Sequence, residues 1–245
     1  MVNDLLLLSG NDIPFIEGQI TIHQPTIKEI AYIGEEAFYT GCELLNFSKD
    51  ILPEEDKINL ESRTNFDILI AILGEQNAVM QKNRNCVEML LALMFPLYSI
   101  KFSQTAIEFS RDGEETHYIT NDNFEPFKKI LNEMFSFKDK SSSVELNPKG
   151  EMAKRIAEKL KKRHQKLAEN KGDKKIDIIS RYVSILAVGQ QQDMNSFLNY
   201  TVYQLFDEFE RYQLKVAYDV YLQAKMAGAK DLKDVDDWMK DIHSE

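Results

Sequence analysis

The chain has 245 residues, among them 14 Phe, 10 Tyr and 1 Trp, which is enough large apolar side chains for a sizeable core and excludes a fully disordered chain. Only 10 Gly and 6 Pro favour long helices over a loop-rich or all-β fold. The 30 basic and 40 acidic residues give a net charge of −10, which argues against nucleic-acid binding by the molecule as a whole.

Short segments of alternating apolar and polar residues predict two β-hairpins in the first 138 residues. Asp112-Gly113 is typical of the tight turn in the second hairpin. The alternating segments are residues 13–15 and 19–23 for the first hairpin, and 98–102, 106–110 and 116–120 for the second.

Helical periodicity predicts four helices in the same part of the chain. Thr26 and Glu29 have capping-box spacing, so the first helix should begin there and continue to about Leu45. The other helices are expected at residues 64–73, at 85–95 and, after a cap at 121–123, up to about Phe135. Residues 1–138 are therefore interpreted as an α-rich α+β domain.

A change in composition after residue 138 predicts a domain boundary. Residues 138–149 contain three consecutive serines and Pro148, which is typical of a linker. Residues 149–175 contain eleven Lys or Arg against four Asp or Glu, so a basic helix with a local charge of +7 is expected. We therefore assign the linker and basic helix to residues 139–175.

The remaining segment, residues 176–245, is predicted to be an all-α domain. Thr201 and Gln204 form a second capping-box pattern, which opens the longest apolar helix. Gly228 is a typical residue just beyond a helix end. The apolar stripe of this helix is interpreted mainly as core and consists of Val202, Leu205, Phe206, Phe209, Val216, Val220 and Ala224. The predicted fold class of the whole chain is mostly α, α+β.

The sequence has no motif that carries catalysis. It lacks a phosphate-binding loop, a dinucleotide-binding glycine motif, a nucleophile elbow and a zinc-protease helix motif. Its four histidines are isolated from one another, which disfavours a metal site. The longest apolar stretch, residues 89–98, is interrupted by Pro96 and is too short to span a membrane. We therefore expect no enzymatic activity, no metal, no cofactor and no membrane partner.

Two surfaces are candidates for binding a partner. Aromatic residues surround the long C-terminal helix on several faces, which indicates contact with another domain, a second copy of the chain or a client protein. These candidates are Tyr203, Phe206, Tyr212, Tyr218, Tyr221 and Trp238. The basic helix is interpreted as a solvated face, a docking surface for an acidic protein or a nucleic-acid contact. Its candidates are Lys154, Arg155, Lys159, Lys161, Lys162, Arg163 and Lys166.

Three segments of the chain resemble bacteriophage tail assembly chaperones. The segment Thr-Val-Tyr-Gln-Leu-Phe-Asp-Glu-Phe-Glu-Arg at 201–211, followed by residues 227–230 and Trp238, resembles their C-terminal part. Asn-Pro-Lys at 147–149, leading into residues 153–159, is similar to their middle helix. A third set of residues is similar to their N-terminal domain and consists of Phe95, Pro96, Tyr98, Ile100, Ile119, Asn123 and Phe124.

This resemblance implies a non-enzymatic helper in the bacterial host cytoplasm. It would bind and solubilise the tape measure protein until tail-tube protein polymerises around it, and it would be absent from the finished virion. Two alternatives stay open: a structural tail or baseplate component of the particle, and a nucleic-acid-binding accessory protein that acts through residues 149–175.

Overall fold

The structure is a computed structural model that describes residues 2–49, 62–74, 77–136, 178–228 and 238–239. Within these ranges it contains nine α-helices, five short β-strands and two antiparallel sheets. The predicted class, mostly α with a smaller β component, is confirmed.

The helices and strands alternate along the chain. The helices are α1 (Asp4–Ser9), α2 (Ile27–Ile33), α3 (Glu35–Leu45), α4 (Asn65–Gly74), α5 (Ala78–Met94), α6 (Asn121–Met134), α7 (Ile178–Gln190), α8 (Met194–Leu198) and α9 (Val202–Met226). The strands are β1 (Ile13–Phe15), β2 (Ile20–Ile22), β3 (Ser99–Phe102), β4 (Ile107–Ser110) and β5 (His117–Ile119).

Both predicted β regions are confirmed. Strand β1 pairs antiparallel with β2, with Phe15 opposite Ile20. Strands β3, β4 and β5 form an antiparallel sheet in that order. Gly113, in the predicted turn between β4 and β5, has a φ of +80°, a conformation that glycine adopts without steric cost. The alternation of side chains therefore identified the strands, and the turn residues identified how they connect.

The prediction of one continuous helix from Thr26 to about Leu45 is wrong. The capping box at Thr26 is present, but the helix ends at Gly34, whose φ of +83° and ψ of 145° separate α2 from α3. The apolar periodicity continues across this break because both helices pack against α5. Periodicity reports which side is buried, and it does not reveal a turn between two helices that face the same neighbour.

Two other helix starts differ from the prediction. Helix α5 begins at Ala78, earlier than residue 85, because the Asn77 side chain caps it by accepting from the Met80 amide. Helix α6 has Thr120 as its N-cap, and the Asn123 side chain accepts a 2.8 Å hydrogen bond from the Thr120 amide. Polar residues at 121–123 marked this helix start correctly to within a few residues.

A layer of phenylalanines forms the core between α3, α5, α6 and the strands. Phe38 of α3 meets Phe135 edge-on at 5.0 Å between ring centroids, and Phe95 lies 4.3 Å from Phe109 of β4. Edge-on and tilted arrangements of this kind are favourable for aromatic pairs. The fully buried phenylalanines of this layer are Phe38, Phe66, Phe95, Phe109, Phe124, Phe127 and Phe135.

Residues 178–228 pack against residues 2–136 in one compact unit. The composition of the chain predicts two separate domains here, 1–138 and 176–245. The linker and basic helix that should separate them, 139–175, lie outside the described residues. Composition marks a polar stretch of chain, but it does not reveal whether the segments on either side return to a shared core.

One contact between these segments lies where α2 and α9 begin side by side, and we call this the α2–α9 junction. Thr26 and Thr201, the N-caps of the two helices, form an antiparallel β-bridge. The Ile27 amide donates to the Tyr200 carbonyl at 2.8 Å. The junction therefore joins two helix starts that are about 175 residues apart in the chain through backbone hydrogen bonding.

A second contact holds the start of α7. The carboxylate of Glu35, in the first turn of α3, accepts hydrogen bonds from the backbone amides of Ile179 and Ser180 at 3.2 and 2.7 Å, and also from the Ser180 hydroxyl. The first amides of a helix have no partner inside it, and a negative charge is favourable at that end. Glu35 thus acts as the N-terminal cap of a helix that is distant in sequence.

No helix in the described part of the chain is long and apolar enough to cross a membrane.

The crossing of α3 and α5 generates a stability prediction. A Cβ atom at Gly41 would lie 2.9 Å from the Cys86 carbonyl oxygen and 3.1 Å from Leu90 Cβ. We expect Gly41→Ala to lower the free energy of unfolding by about 1–3 kcal/mol, because the two helices must move apart. Urea denaturation followed by circular dichroism measures this change.

Gly74→Ala is the matched control, since a Cβ at Gly74 would meet no atom within 4 Å. It should leave the free energy of unfolding unchanged or slightly raised. Equal effects of the two substitutions would contradict a close helix crossing at Gly41.

Candidate functional site

Both ends of helix α9 are set by contacts and backbone conformation within a few residues of the chain. The Thr201 hydroxyl accepts from the Gln204 amide at 3.2 Å, and the Gln204 side chain accepts from the Thr201 amide at 2.8 Å. This capping box satisfies amides that would otherwise have no partner at the helix start. Gly228, with a φ of +84°, follows the C-cap residue Ala227. Both predicted ends of the helix are confirmed.

The two halves of α9 differ in burial although they share one apolar stripe. In the first half Val202, Leu205 and Phe209 are buried, and Leu205 has no exposed surface. In the second half the same face is open, with Val216 and Val220 exposed at 41% and 60%. The stripe was predicted to be mainly core, and this interpretation is confirmed only for its first half.

A polar residue marks the point where burial of the stripe ends. At 100° per residue, Gln213 lies on the same face as Phe209 and Val216. Gln213 is exposed, and Val216 and Val220, which follow it on this face, are exposed as well. The interruption of the stripe at this position was visible in the sequence and is the signal that could have located the change.

The exposed half of α9 also presents apolar side chains outside the predicted stripe. Leu222 is 37% exposed and Met226 is 80% exposed; they lie four residues apart on a second face, about 120° around the helix from Val216 and Val220. We call Val216, Val220, Leu222 and Met226 the exposed α9 surface. This surface therefore consists of two pairs of exposed apolar side chains, and exposed apolar pairs on one helix can mark an interaction site.

The aromatic candidates on the first half of α9 are used for internal packing. Tyr203 is buried, so its side chain is not accessible to a partner. Phe206 is half-buried, and its ring centroid lies 5.1 Å from that of Tyr182 in α7. The Phe209 ring stacks on the Tyr182 ring, with 3.7 Å between the two ring centroids. These rings hold α7 and α9 together.

Tyr212 and Trp238 lie together beside the end of α7. They line a depression of about 700 Å³ that also contains Gln190, Glu208 and Arg211. Gln190 donates to the Glu208 carboxylate at 2.6 Å, and Arg211 donates to the Trp238 carbonyl at 3.4 Å. Gln190, Glu208 and Arg211 are therefore hydrogen-bonded within this depression, and Trp238 remains 36% exposed.

Tyr218 and Tyr221 lie on the exposed half of α9 and are half-buried. The Lys225 ammonium group lies 5.6 Å from the centre of the Tyr221 ring, within the range of a cation–π contact. Of the six predicted aromatic residues, Tyr218 and Tyr221 thus lie on the exposed half of α9, and Trp238 is partly exposed beside Tyr212 at the end of α7.

The predicted basic docking surface falls in residues 137–177, outside the described part of the chain. Its seven candidate residues, from Lys154 to Lys166, therefore stay a prediction. In the ranges that the structure describes, no group of three or more His, Cys, Asp or Glu side chains is placed to hold a metal ion.

Comparison with known proteins gives a family match in the part of the chain that carries α9. Residues 171–243 match the family model described as the YomV second domain. The matched range covers less than a third of the chain and overlaps the predicted domain 176–245. This family is phage-associated, which is consistent with a phage protein. No curated protein and no solved structure matches the chain.

The difference between the two halves of α9 generates a prediction about stability. Leu205→Ala should lower the free energy of unfolding by about 2–5 kcal/mol, because it leaves a cavity in the core. Val220→Ala, on the same stripe, should change it by less than about 0.5 kcal/mol, because the side chain is already in contact with water. Urea denaturation of the two variants measures both values, and a large loss for Val220→Ala would show that this half of the helix is covered.

Proposed function

We propose that this protein is a non-enzymatic phage tail assembly chaperone that binds and solubilises the tape measure protein before the tail tube polymerises, in the cytoplasm of the bacterial host. The observation that carries the proposal is the exposed α9 surface, where Val216, Val220, Leu222 and Met226 present apolar side chains on a helix whose other half is built into the core. The similarity of residues 171–243 to a phage-associated family supports the phage context.

The spacing of the exposed side chains suits recognition of another helix. Val216 and Val220 are four residues apart, as are Leu222 and Met226, so each pair spans about one helical turn. Apolar residues at this spacing pack into the grooves between side chains of a neighbouring helix. A tape measure protein is expected, from the resemblance, to be a long helical chain with apolar faces that must be kept from aggregating.

The buried half of α9 makes the exposed half a suitable binding element. Val202 and Leu205 are in the core, and the junction holds the helix start against α2. The exposed half is therefore continuous with a fixed helix and does not have to be ordered when the partner binds, which lowers the entropic cost of association. A small apolar contact gives modest affinity and rapid dissociation, as required of a helper that tail-tube protein must displace.

The alternatives differ in what they require. A structural tail or baseplate component would use the same exposed α9 surface but would remain in the particle. Nucleic-acid binding depends on residues 149–175, which include no described residue, so none of the described contacts favours it.

The proposal predicts that co-expression with the tape measure protein keeps that protein soluble and that the two proteins copurify. Replacing Val216 and Val220 by Ser should reduce the copurified tape measure protein roughly tenfold or more, since the loss of two apolar contact residues costs about 1–2 kcal/mol each. Quantitative gel analysis of the soluble fraction and of the affinity-purified complex measures both effects.

The matched control replaces Leu97 and Tyr118 by Ser, which are 63% and 46% exposed and lie before β3 and in β5. This variant should behave as the unmodified protein, and circular dichroism should show that both variants are folded. Failure of the unmodified chain to solubilise or bind the tape measure protein would contradict the proposal. Mass spectrometry of purified virions separates the alternatives, because a chaperone is absent and a structural component is present in fixed copy number.

A further inference from the structure

His23 lies between two carboxylates at the edge of the α2–α9 junction. Its Nδ1 atom is 3.0 Å from Asp12 Oδ1, in the loop before β1, and its Nε2 atom is 3.3 Å from Glu29 Oε2, in the first turn of α2. Its backbone amide donates to the Met94 carbonyl at the end of α5 at 2.8 Å. The side chain is 28% exposed, so the ring is partly shielded from water but can exchange protons with it.

Both ring nitrogens face groups that can only accept. An ionised carboxylate has no proton to donate, and a neutral imidazole has only one N–H. Only the imidazolium form, with a proton on each nitrogen, donates to Asp12 and Glu29 at once. In the neutral form, one ring nitrogen directs a lone pair at a carboxylate oxygen, which is repulsive.

The surroundings of His23 raise its pKa, as expected for a ring that donates to two carboxylates. Burial lowers the pKa of His23, but the hydrogen bonds and negative charges of Asp12 and Glu29 outweigh it, so its pKa is raised above the ordinary value of 6.5. Among the residues that the structure describes, the charged groups facing the ring are these two carboxylates, while α5 contributes the Met94 carbonyl to the backbone of His23.

The ring is connected to the junction through the residues that follow it. The Glu29 oxygen that faces His23 also accepts from the Thr26 amide at 2.7 Å and from the Thr26 hydroxyl at 2.8 Å. Thr26 in turn forms the β-bridge to Thr201 at the start of α9. The neighbouring Gln24 side chain donates to the carbonyls of Leu6 and Asn11, which holds the end of α1 at the same place.

We propose that His23 is a pH-sensitive latch, in which a proton taken up from solvent by its imidazole ring tightens the α2–α9 junction. The imidazolium draws Asp12 and Glu29 together, fixes the Glu29 carboxylate on Thr26 and thereby holds the loop that is hydrogen-bonded to the start of α9. Loss of the proton leaves one of the two carboxylates without a donor from the ring, and this loop is held less firmly.

The sign of the pH dependence follows from the direction of the shift. Because the pKa of His23 is higher in the folded than in the unfolded chain, its contribution to stability is fully present below about pH 6.5 and is lost as the pH rises through the folded pKa. Glu29 acts in the opposite range: burial raises its pKa, but hydrogen bonds from Thr26 and His23 lower it below 4.5, so its contribution is lost only in acid.

The test uses the isolated full-length chain and does not depend on the proposed function. NMR titration of the histidine side chains should give His23 a pKa above 6.5. The urea midpoint should fall between about pH 5.5 and about pH 8.5, and His23→Gln should lose that component of the fall. His117→Gln is the matched control, since the His117 ring contacts the Tyr98 ring in the β3–β5 sheet region, and it should leave the pH dependence unchanged.

Hydrogen exchange locates the effect. The Ile27 amide, which donates to Tyr200 across the junction, should lose protection at about pH 8.5 relative to the Phe135 amide at the end of α6, after correction for the intrinsic exchange rate. A His23 pKa at or below 6.5, an identical pH dependence in His23→Gln, or an Ile27 protection that does not change with pH would each overturn the latch. The NMR and hydrogen-exchange measurements need only the unmodified protein, so they test the His23 latch even if the His23→Gln variant does not fold.

Discussion

The α2–α9 junction is the contact on which the rest of this structure depends. Two helix starts that are remote in sequence lie side by side, each with its own capping box, and the loop before one is hydrogen-bonded to the loop before the other. The Gln204 side chain, besides closing its own box, donates to the Leu8 carbonyl at 2.7 Å and so includes the end of α1. The side chains of Thr26, Glu29, Thr201 and Gln204 all take part in the two helix caps, which fix the direction in which α9 leaves the core.

The fixed direction of α9 explains why its first half is buried and its second half is exposed. A helix of 25 residues is about 37 Å long, more than the surrounding elements cover. Helix α9 contacts α1, α6 and α7, and in its first half the rings of Phe206 and Phe209 both pack against Tyr182 of α7. Its second half continues past these neighbours with the same apolar stripe. One sequence pattern therefore stabilises the fold at one end and presents an interaction surface at the other.

Much of the local structure could be predicted because it depends on chemistry within a few residues. The capping boxes at Thr26 and Thr201 are hydrogen bonds between residues three positions apart in the chain. Gly113 and Gly228 adopt backbone conformations that favour glycine. Gly34 shows where this reasoning failed: its turn lies between two helices that face the same neighbour, so the periodicity gave no sign of it. The return of residues 178–228 to the core of residues 2–136 was missed for a related reason, since composition describes a segment and not its partner.

The capping boxes that open α2 and α9, the end of α9 at Gly228, its apolar face and the aromatic residues along it all follow from the sequence. The tertiary structure alone decided that Leu205 is buried while Val220 is exposed, that Tyr203 is inaccessible, and that His23 meets Asp12 and Glu29. The physical reason is that periodicity and capping depend on neighbours in the chain. Burial and charge pairing depend on what lies opposite in space, and that is set only when distant segments pack together.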